Sequence, residues 1–215
     1  MGRTIVVGDI HGCFDELVDL IDFVDLRRDD RVVAVGDLVF KGPKTREVLD
    51  LFISDQRFSS VIGNHDRVLR QRWRGEPVRL SKDQRATLNK LTPNREQYFE
   101  FLRSLPFTIN LGSHLIVHAG LRPGVPLRHQ MAVDLTEIRT MGSDPSGRRG
   151  VRWYDVYRGP KTVLFGHWPA KKPRRGQNAI GLDTGCVYGG RLTAYIVETS
   201  EFASVPARRK YAGKP

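Results

Sequence analysis

Thr4-Ile5-Val6-Val7-Gly8-Asp9-Ile10-His11-Gly12 sets a run of four β-branched residues against a Gly-Asp-x-His-Gly turn. The run predicts a buried strand, and Gly8 predicts where it stops. The same sentence recurs twice. Arg31-Val32-Val33-Ala34-Val35 runs into Gly36-Asp37-Leu38, and Ser60-Val61-Ile62 runs into Gly63-Asn64-His65-Asp66. Between the first two strands, Phe14, Leu17, Val18, Leu20, Ile21 and Val24 fall at helical spacing. Between the second and third, Pro43 opens a helix through about Ile53. Strand–helix–strand–helix–strand predicts an α/β fold with a parallel sheet and right-handed crossovers. In such sheets ligands bind beyond the carboxyl ends of the strands. Three neighbouring strands therefore deliver Asp9, His11, Asp37, Asn64 and His65 to one rim.

The rest of the chain changes character twice. Residues 66–104 read as mainly helical, an insertion in a single domain over 1–204 and a candidate lid. Thr92-Pro93 marks a helix start with proline at its first position. Strands are then predicted at 107–109, 115–117, 162–165, 179–182 and 192–197, with Tyr188-Gly189-Gly190-Arg191 as a hairpin turn. Two of these strands also end at histidines, in Val117-His118-Ala119-Gly120 and Phe165-Gly166-His167. The basic tail 205–215 is expected to be loose.

The 215 residues suit one sizeable core. No run of about 18 apolar residues predicts a membrane span. The start of the chain lacks the pattern of a signal peptide, so a cytoplasmic location is expected. Cys13 and Cys186 lack the spacing of a zinc site and read as reduced thiols. The net charge of +11 favours polyanions, and a nucleoside polyphosphate suits it as well as nucleic acid does. Without a nucleic-acid motif, no stable nucleic-acid complex is expected.

One Gly-Asp pair, or one histidine after a strand, is ordinarily only a turn. Five such turns after five strands point to a site. Carboxylates and imidazoles without thiolates suit divalent transition ions. The six candidates Asp9, His11, Asp37, Asn64, His118 and His167 can serve two ions if one carboxylate is shared, leaving positions for water and substrate.

These blocks, in this order, resemble the calcineurin-like metallophosphoesterases, in their phosphoprotein-phosphatase branch. The stretch Gly181-Leu182-Asp183-Thr184-Gly185-Cys186-Val187-Tyr188-Gly189-Gly190-Arg191-Leu192-Thr193-Ala194 is similar to the bacterial symmetrical diadenosine-tetraphosphatase-like proteins. The resemblance implies a four-layer α/β/β/α sandwich of two mixed β-sheets flanked by helices. It implies that Asp9 and His11 hold one ion, that Asn64, His118 and His167 hold the other, and that Asp37 bridges them. It implies manganese, or iron, zinc, cobalt or nickel, and His65 as the general acid that protonates the leaving oxygen. Asn64 and Arg139 would also contact the substrate phosphate. Arg152 is a weaker candidate for Arg139's role. The run Arg67, Arg70, Arg72 and Arg74 reads either as a solvated helix face or as a grip on a distal phosphate.

One block departs from the family's usual Gly-Asp-x-Val-Asp-Arg-Gly. Here it reads Gly36-Asp37-Leu38-Val39-Phe40-Lys41-Gly42. Phe40 replaces the acid that supports the catalytic histidine, and Asp66 is the expected substitute. Lys41 replaces an arginine and would meet phosphate as a point charge. The departure favours an anhydride with a good leaving group. The leading expectation is hydrolysis of dinucleoside polyphosphates such as diadenosine tetraphosphate by metal-activated water. Alternatives are a Ser/Thr or Tyr protein phosphatase and a polyphosphate or RNA-end hydrolase. A metal-binding scaffold or a nucleic-acid module without turnover is disfavoured, since all six ligands and His65 are present.

Overall fold

The computed structural model describes residues 2–213. Strands β1 (Thr4–Val7), β2 (Arg31–Ala34) and β3 (Phe58–Ser60) are joined by helices α1 (Phe14–Phe23) and α2 (Thr45–Ser54). β1 pairs with β2, and β2 with β3, in parallel. β3 ends earlier than its apolar run suggests. Val61 still donates to the Ala34 carbonyl, but the Ile62 amide turns to Pro106. Helices α3 (Asn64–Trp73), α4 (Lys82–Leu91) and α5 (Arg95–Ser104) follow, with Pro93 in a short 3-10 turn before α5. Then come β4 (Thr108–Asn110), β5 (His114–Val117), α6 (Ala132–Glu137), α7 (Trp153–Val156), β6 (Thr162–Phe165), β7 (Arg174–Gly176), β8 (Ala179–Gly181), β9 (Arg191–Ile196) and β10 (Glu201–Pro206).

Two mixed sheets result, in the orders β10-β9-β1-β2-β3 and β4-β5-β6-β8-β7. Side-chain alternation along the strands sorts them into layers. Ile5, Val7, Val32 and Ala34 pack with α1, α2, α3 and α5 around Leu17, Leu49, Leu69 and Leu102. Their neighbours Val6, Val33 and Val35 face Ile116 and Leu164 of the second sheet. Leu115, Val117, Val163 and Phe165 point outward onto Leu135, Ile138, Trp153 and Tyr154. The order is helices, sheet, sheet, helices, the layering that the resemblance implied. Among the described residues no helix is long and apolar enough to cross a membrane.

Three local readings need correction. β7 and β10 were not anticipated. β7, Arg174-Arg175-Gly176, has no apolar residue and exists because it pairs antiparallel with β8. Residues 188–191 do not close a hairpin. β8 pairs with β6 and β7 while β9 pairs with β1 and β10, so the segment between them passes from one sheet to the other. The tail from Val205 is not loose over its described length. Val205 and Pro206 complete β10, the Arg208 guanidinium reaches Asp19 of α1 at 2.7 Å, and the Tyr211 hydroxyl donates to Glu16 at 2.8 Å. Acidic α1 supplies the counter-charge that the tail's composition lacks. Residues 214 and 215 lie outside the described residues. Cys13 and Cys186 are buried free thiols.

The first strand is locked at its start by Asp30. Its carboxylate is 1% exposed and accepts from the Arg3 amide at 2.7 Å, from Arg3 Nη2 at 2.6 Å and from the Arg27 amide at 2.9 Å. The hydrogen-bonded Arg3 guanidinium holds this carboxyl well below the usual carboxylate range. A folded-state pKa lowered in this way gives stability that is present above the unfolded carboxyl's ~3.9 and lost as the pH falls through the folded value. Asp30→Asn is expected to cost about 2 kcal/mol at pH 7, from the loss of charge-assisted hydrogen bonds. Thermal melts should show the deficit shrinking as the pH falls below about 4, because the unfolded carboxyl takes up a proton there while the folded one does so only at lower pH.

Candidate active site

The carboxyl ends of the strands converge as expected. β1 delivers Asp9 and His11, β2 Asp37, β3 Asn64 and His65, β5 His118 and β6 His167. His11, Asp37 and His167 all adopt left-handed backbone, with φ of 49°, 54° and 66°. Such conformations in non-glycine residues mark sites whose surroundings hold them. Two glycines make the room. A Cβ on Gly63 would lie 2.1 Å from Asp37 Oδ1, and one on Gly166 would lie 1.9 Å from Asp9 Oδ1. These turns end in glycine because a neighbour's carboxylate occupies the space a side chain would need.

The ring nitrogens are sorted by the backbone. His11 Nδ1 lies 3.1 Å from the Val39 carbonyl and His118 Nδ1 lies 2.8 Å from that of Val35. Each Nδ1 therefore donates, and each Nε2 turns inward with its lone pair. Asn64 Oδ1 is 3.0 Å from both His118 Nε2 and His167 Nδ1. Asp37 sits between the groups, with Oδ2 3.4 Å from His11 Nε2 and Oδ1 3.5 Å from His118 Nε2. Donor atoms of Asp9, Asp37 and His118 lie within 4.8 Å of one another, as do those of His11, Asp37 and His65. Asp9 is steadied by the His167 amide at 3.0 Å.

The electrostatics are those of a cation site. Burial pushes the carboxyls of Asp37 and Asp183 up to about 6. Burial, then the charges of Asp183 and Asp37, push Asp9 well above the usual range. Burial also lowers the imidazoles of His11, His65 and His167, and brings His118 down to about 4. Neutral imidazoles and crowded carboxyls that resist ionisation are what a divalent ion rewards. His167 joins the same cluster through Nδ1, 3.0 Å from Asn64 Oδ1. With N and O donors only and Asp37 reaching both groups, the residues fit two divalent ions.

Among the other expected residues, Lys41 enters the site. Its Nζ is 2.9 Å from His11 Nε2 and 5.4 Å from the Tyr188 ring centroid. Arg139 is half-buried, with Nη1 2.5 Å from the Ser146 carbonyl, and its charge helps hold down the carboxyl of Asp37. Arg152 is turned away, paired to Asp155 at 2.6 Å. The arginine run divides. Arg67 donates to Thr136, Arg70 is half-buried, and Arg72 and Arg74 are exposed.

The expectation that Asp66 supports His65 is corrected. Its carboxylate accepts from the amides of Asp37 at 2.8 Å, Leu38 at 3.0 Å, Val39 at 3.3 Å and Gly63 at 2.9 Å. It occupies the third position of α3, where a capping-box acid turns back over the helix start, away from the neighbouring ring. Phe40 is fully buried and meets His65 edge-on, with ring centroids 6.1 Å apart. His65 Nδ1 is buried without a hydrogen-bond partner.

Sequence reasoning missed Asp183. It is 7% exposed at the end of β8, and its charge acts directly on Asp9. The signal was present, because Gly181-Leu182-Asp183 closes a strand as the other turns do.

The sequence pattern of the calcineurin-like phosphoesterases matches residues 2–196. The chain belongs to that family. Members of this family are metal-dependent hydrolases, and this chain is one. It is 31% identical to the bis(5'-nucleosyl)-tetraphosphatase PrpE [asymmetrical] of Bacillus subtilis (strain 168), over 96% of this chain and 95% of that protein. It is likewise 31% identical to the symmetrical bis(5'-nucleosyl)-tetraphosphatase of Vibrio parahaemolyticus, over 88% and 93%. A crystal structure described as a "putative diadenosine tetraphosphatase" superposes with a TM-score of 0.80 at 34% identity, over 96% of this chain and 94% of that one. A Saccharomyces cerevisiae serine/threonine phosphatase shares the fold, with a TM-score of 0.65 at 15% identity over 100% and 81%.

Proposed function

We propose that this phosphoesterase hydrolyses dinucleoside polyphosphates such as diadenosine tetraphosphate, with two divalent ions, manganese foremost. Asp9 and His11 would hold one ion, Asn64, His118 and His167 the other, and Asp37 would serve both. The observation that carries the reading is the placement of Asp37, one oxygen beside His11 and the other beside His118. When bound, the ions neutralise phosphate charge and supply activated water. The names of the relatives at about a third identity support the substrate class, and a nucleotide substrate fits a cytoplasmic location.

The chain's own residues do the rest. Lys41, Arg139 and Asn64 orient the phosphate, and the two cations among them offset its charge. His65 hands a proton to the leaving oxygen. No acid supports its Nδ1, and burial and then Lys41 depress its basicity. General acid help of that kind is modest, which suits a nucleotide leaving group that needs little protonation.

The test is direct. Metal-stripped protein, reloaded with manganese, is given diadenosine tetraphosphate and, separately, a phosphopeptide. The kcat/KM for the dinucleotide should be higher by about tenfold or more, ~1.4 kcal/mol of differential transition-state binding. Preference for the phosphopeptide would overturn the reading. Reloading with iron, zinc, cobalt or nickel ranks the metals in the same assay.

A further inference from the structure

Beside the ligand cluster lies a cavity of about 360 Å³, lined by Arg148, Trp168, Pro169, Lys171, Gly185 and Tyr188 among others. Its size is that of a small-molecule site. We propose that it seats the base of a nucleotide whose phosphates reach the ligand cluster. The proposal rests on the nucleotide-hydrolase reading and adds where the nucleoside is held.

The cavity is continuous with the centre along the chain. Trp168 follows His167, Thr184 of the lining follows Asp183, and the Tyr188 ring is the one that Lys41 approaches. The Lys41 ammonium, 5.4 Å from the Tyr188 ring centroid and 2.9 Å from His11 Nε2, links that wall to the ligand cluster. Trp168 is a rigid wall. The Arg174 guanidinium packs on its ring at 4.3 Å and is fixed by bonds to the Trp168 and Pro169 carbonyls and the Tyr154 hydroxyl. Both Trp168 and Tyr188 are half-buried, so each keeps surface for a ligand.

Gly185 keeps the slot open. Its φ is +71°, and a Cβ there would stand 3.7 Å from Pro169 Cβ and 3.8 Å from Tyr188 Cδ2, in the gap between them. Without a side chain at Gly185 the faces of Tyr188 and Trp168 stay open to a ligand, and bases stack on aromatic side chains whatever their identity. Exposed Arg148 and Lys171 add positive charge on the same rim. A bare polyphosphate would leave the aromatic walls unused, and an extended phosphopeptide would not fill the slot.

The experiment compares ligands that differ only by the base. Calorimetric titrations of the manganese-loaded full chain with AMP and with ribose 5-phosphate should show AMP binding about 5- to 100-fold more tightly, the range expected for one stacked base. Trp168→Leu should collapse the difference, Trp168→Phe should retain most of it, and Tyr188→Leu should reduce it independently. Equal affinities in the wild type, or an AMP preference untouched by Trp168→Leu and Tyr188→Leu, would overturn the proposal. An AMP preference without turnover of diadenosine tetraphosphate would uphold the base site and remove the proposed substrate. Turnover without a base preference would do the reverse.

Discussion

Asp37→Asn is expected to lower phosphatase activity by about a thousandfold on every substrate and to reduce the bound metal. The size follows from the several kcal/mol that metal-assisted charge stabilisation supplies, at ~1.36 kcal/mol per tenfold in rate. The two oxygens of Asp37 have different neighbours. Oδ2 faces His11 Nε2 at 3.4 Å, while Oδ1 lies 3.5 Å from His118 Nε2 and accepts from the His65 amide at 2.9 Å. An amide in its place removes a charge and turns one acceptor into a donor. The substitution spares the backbone, because asparagine tolerates the left-handed conformation that Asp37 holds at φ 54°. Loss of activity therefore cannot be assigned to misfolding if circular dichroism is unchanged. Elemental analysis gives the second readout. A variant that keeps two ions and full activity would remove Asp37 from the bridging role.

The turns were legible because their chemistry is local. A β-branched run, a glycine and a ligand-type residue are adjacent in sequence, and the strand's direction carries them to a common rim. Gly63 and Gly166 make that reading firmer, since each is small for the sake of a carboxylate from a different strand. What was not legible depended on partners far along the chain. β7 has no apolar pattern and is a strand only through β8. No local signal told that β8 and β9, ten residues apart, belong to different sheets. Tail residues that look unstructured by composition are held by Glu16 and Asp19, more than 180 positions earlier. Asp183 shows the opposite failure, a local signal that was read as a family signature and not as one more strand-end acid.

Asp66 carries the second large prediction, and it separates two roles that sequence adjacency to His65 confuses. Its side chain is fully buried and its two oxygens receive four backbone amides, three from the Asp37–Val39 turn and one from Gly63 at the head of α3. Asp66→Ala strands those donors away from water. A loss of about 3–5 kcal/mol is expected, as for leaving several buried donors without an acceptor. For a chain of this size that is a fall in Tm of about 10 °C. Activity should fall with it, because the turn that presents Asp37 loses its anchor. Asp66→Asn keeps one acceptor oxygen and should fall between Asp66→Ala and wild type in Tm. A residue whose task was to support the His65 imidazole would behave differently. Its loss would leave Tm nearly unchanged and shift the pH dependence of kcat, since that profile reports the acid and base groups of the bound complex. Measuring Tm and the pH–rate profile on the same two variants decides the matter. A graded loss of Tm with an unmoved pH profile makes Asp66 a positioning residue for Asp37, whereas an intact Tm with a shifted profile returns it to His65.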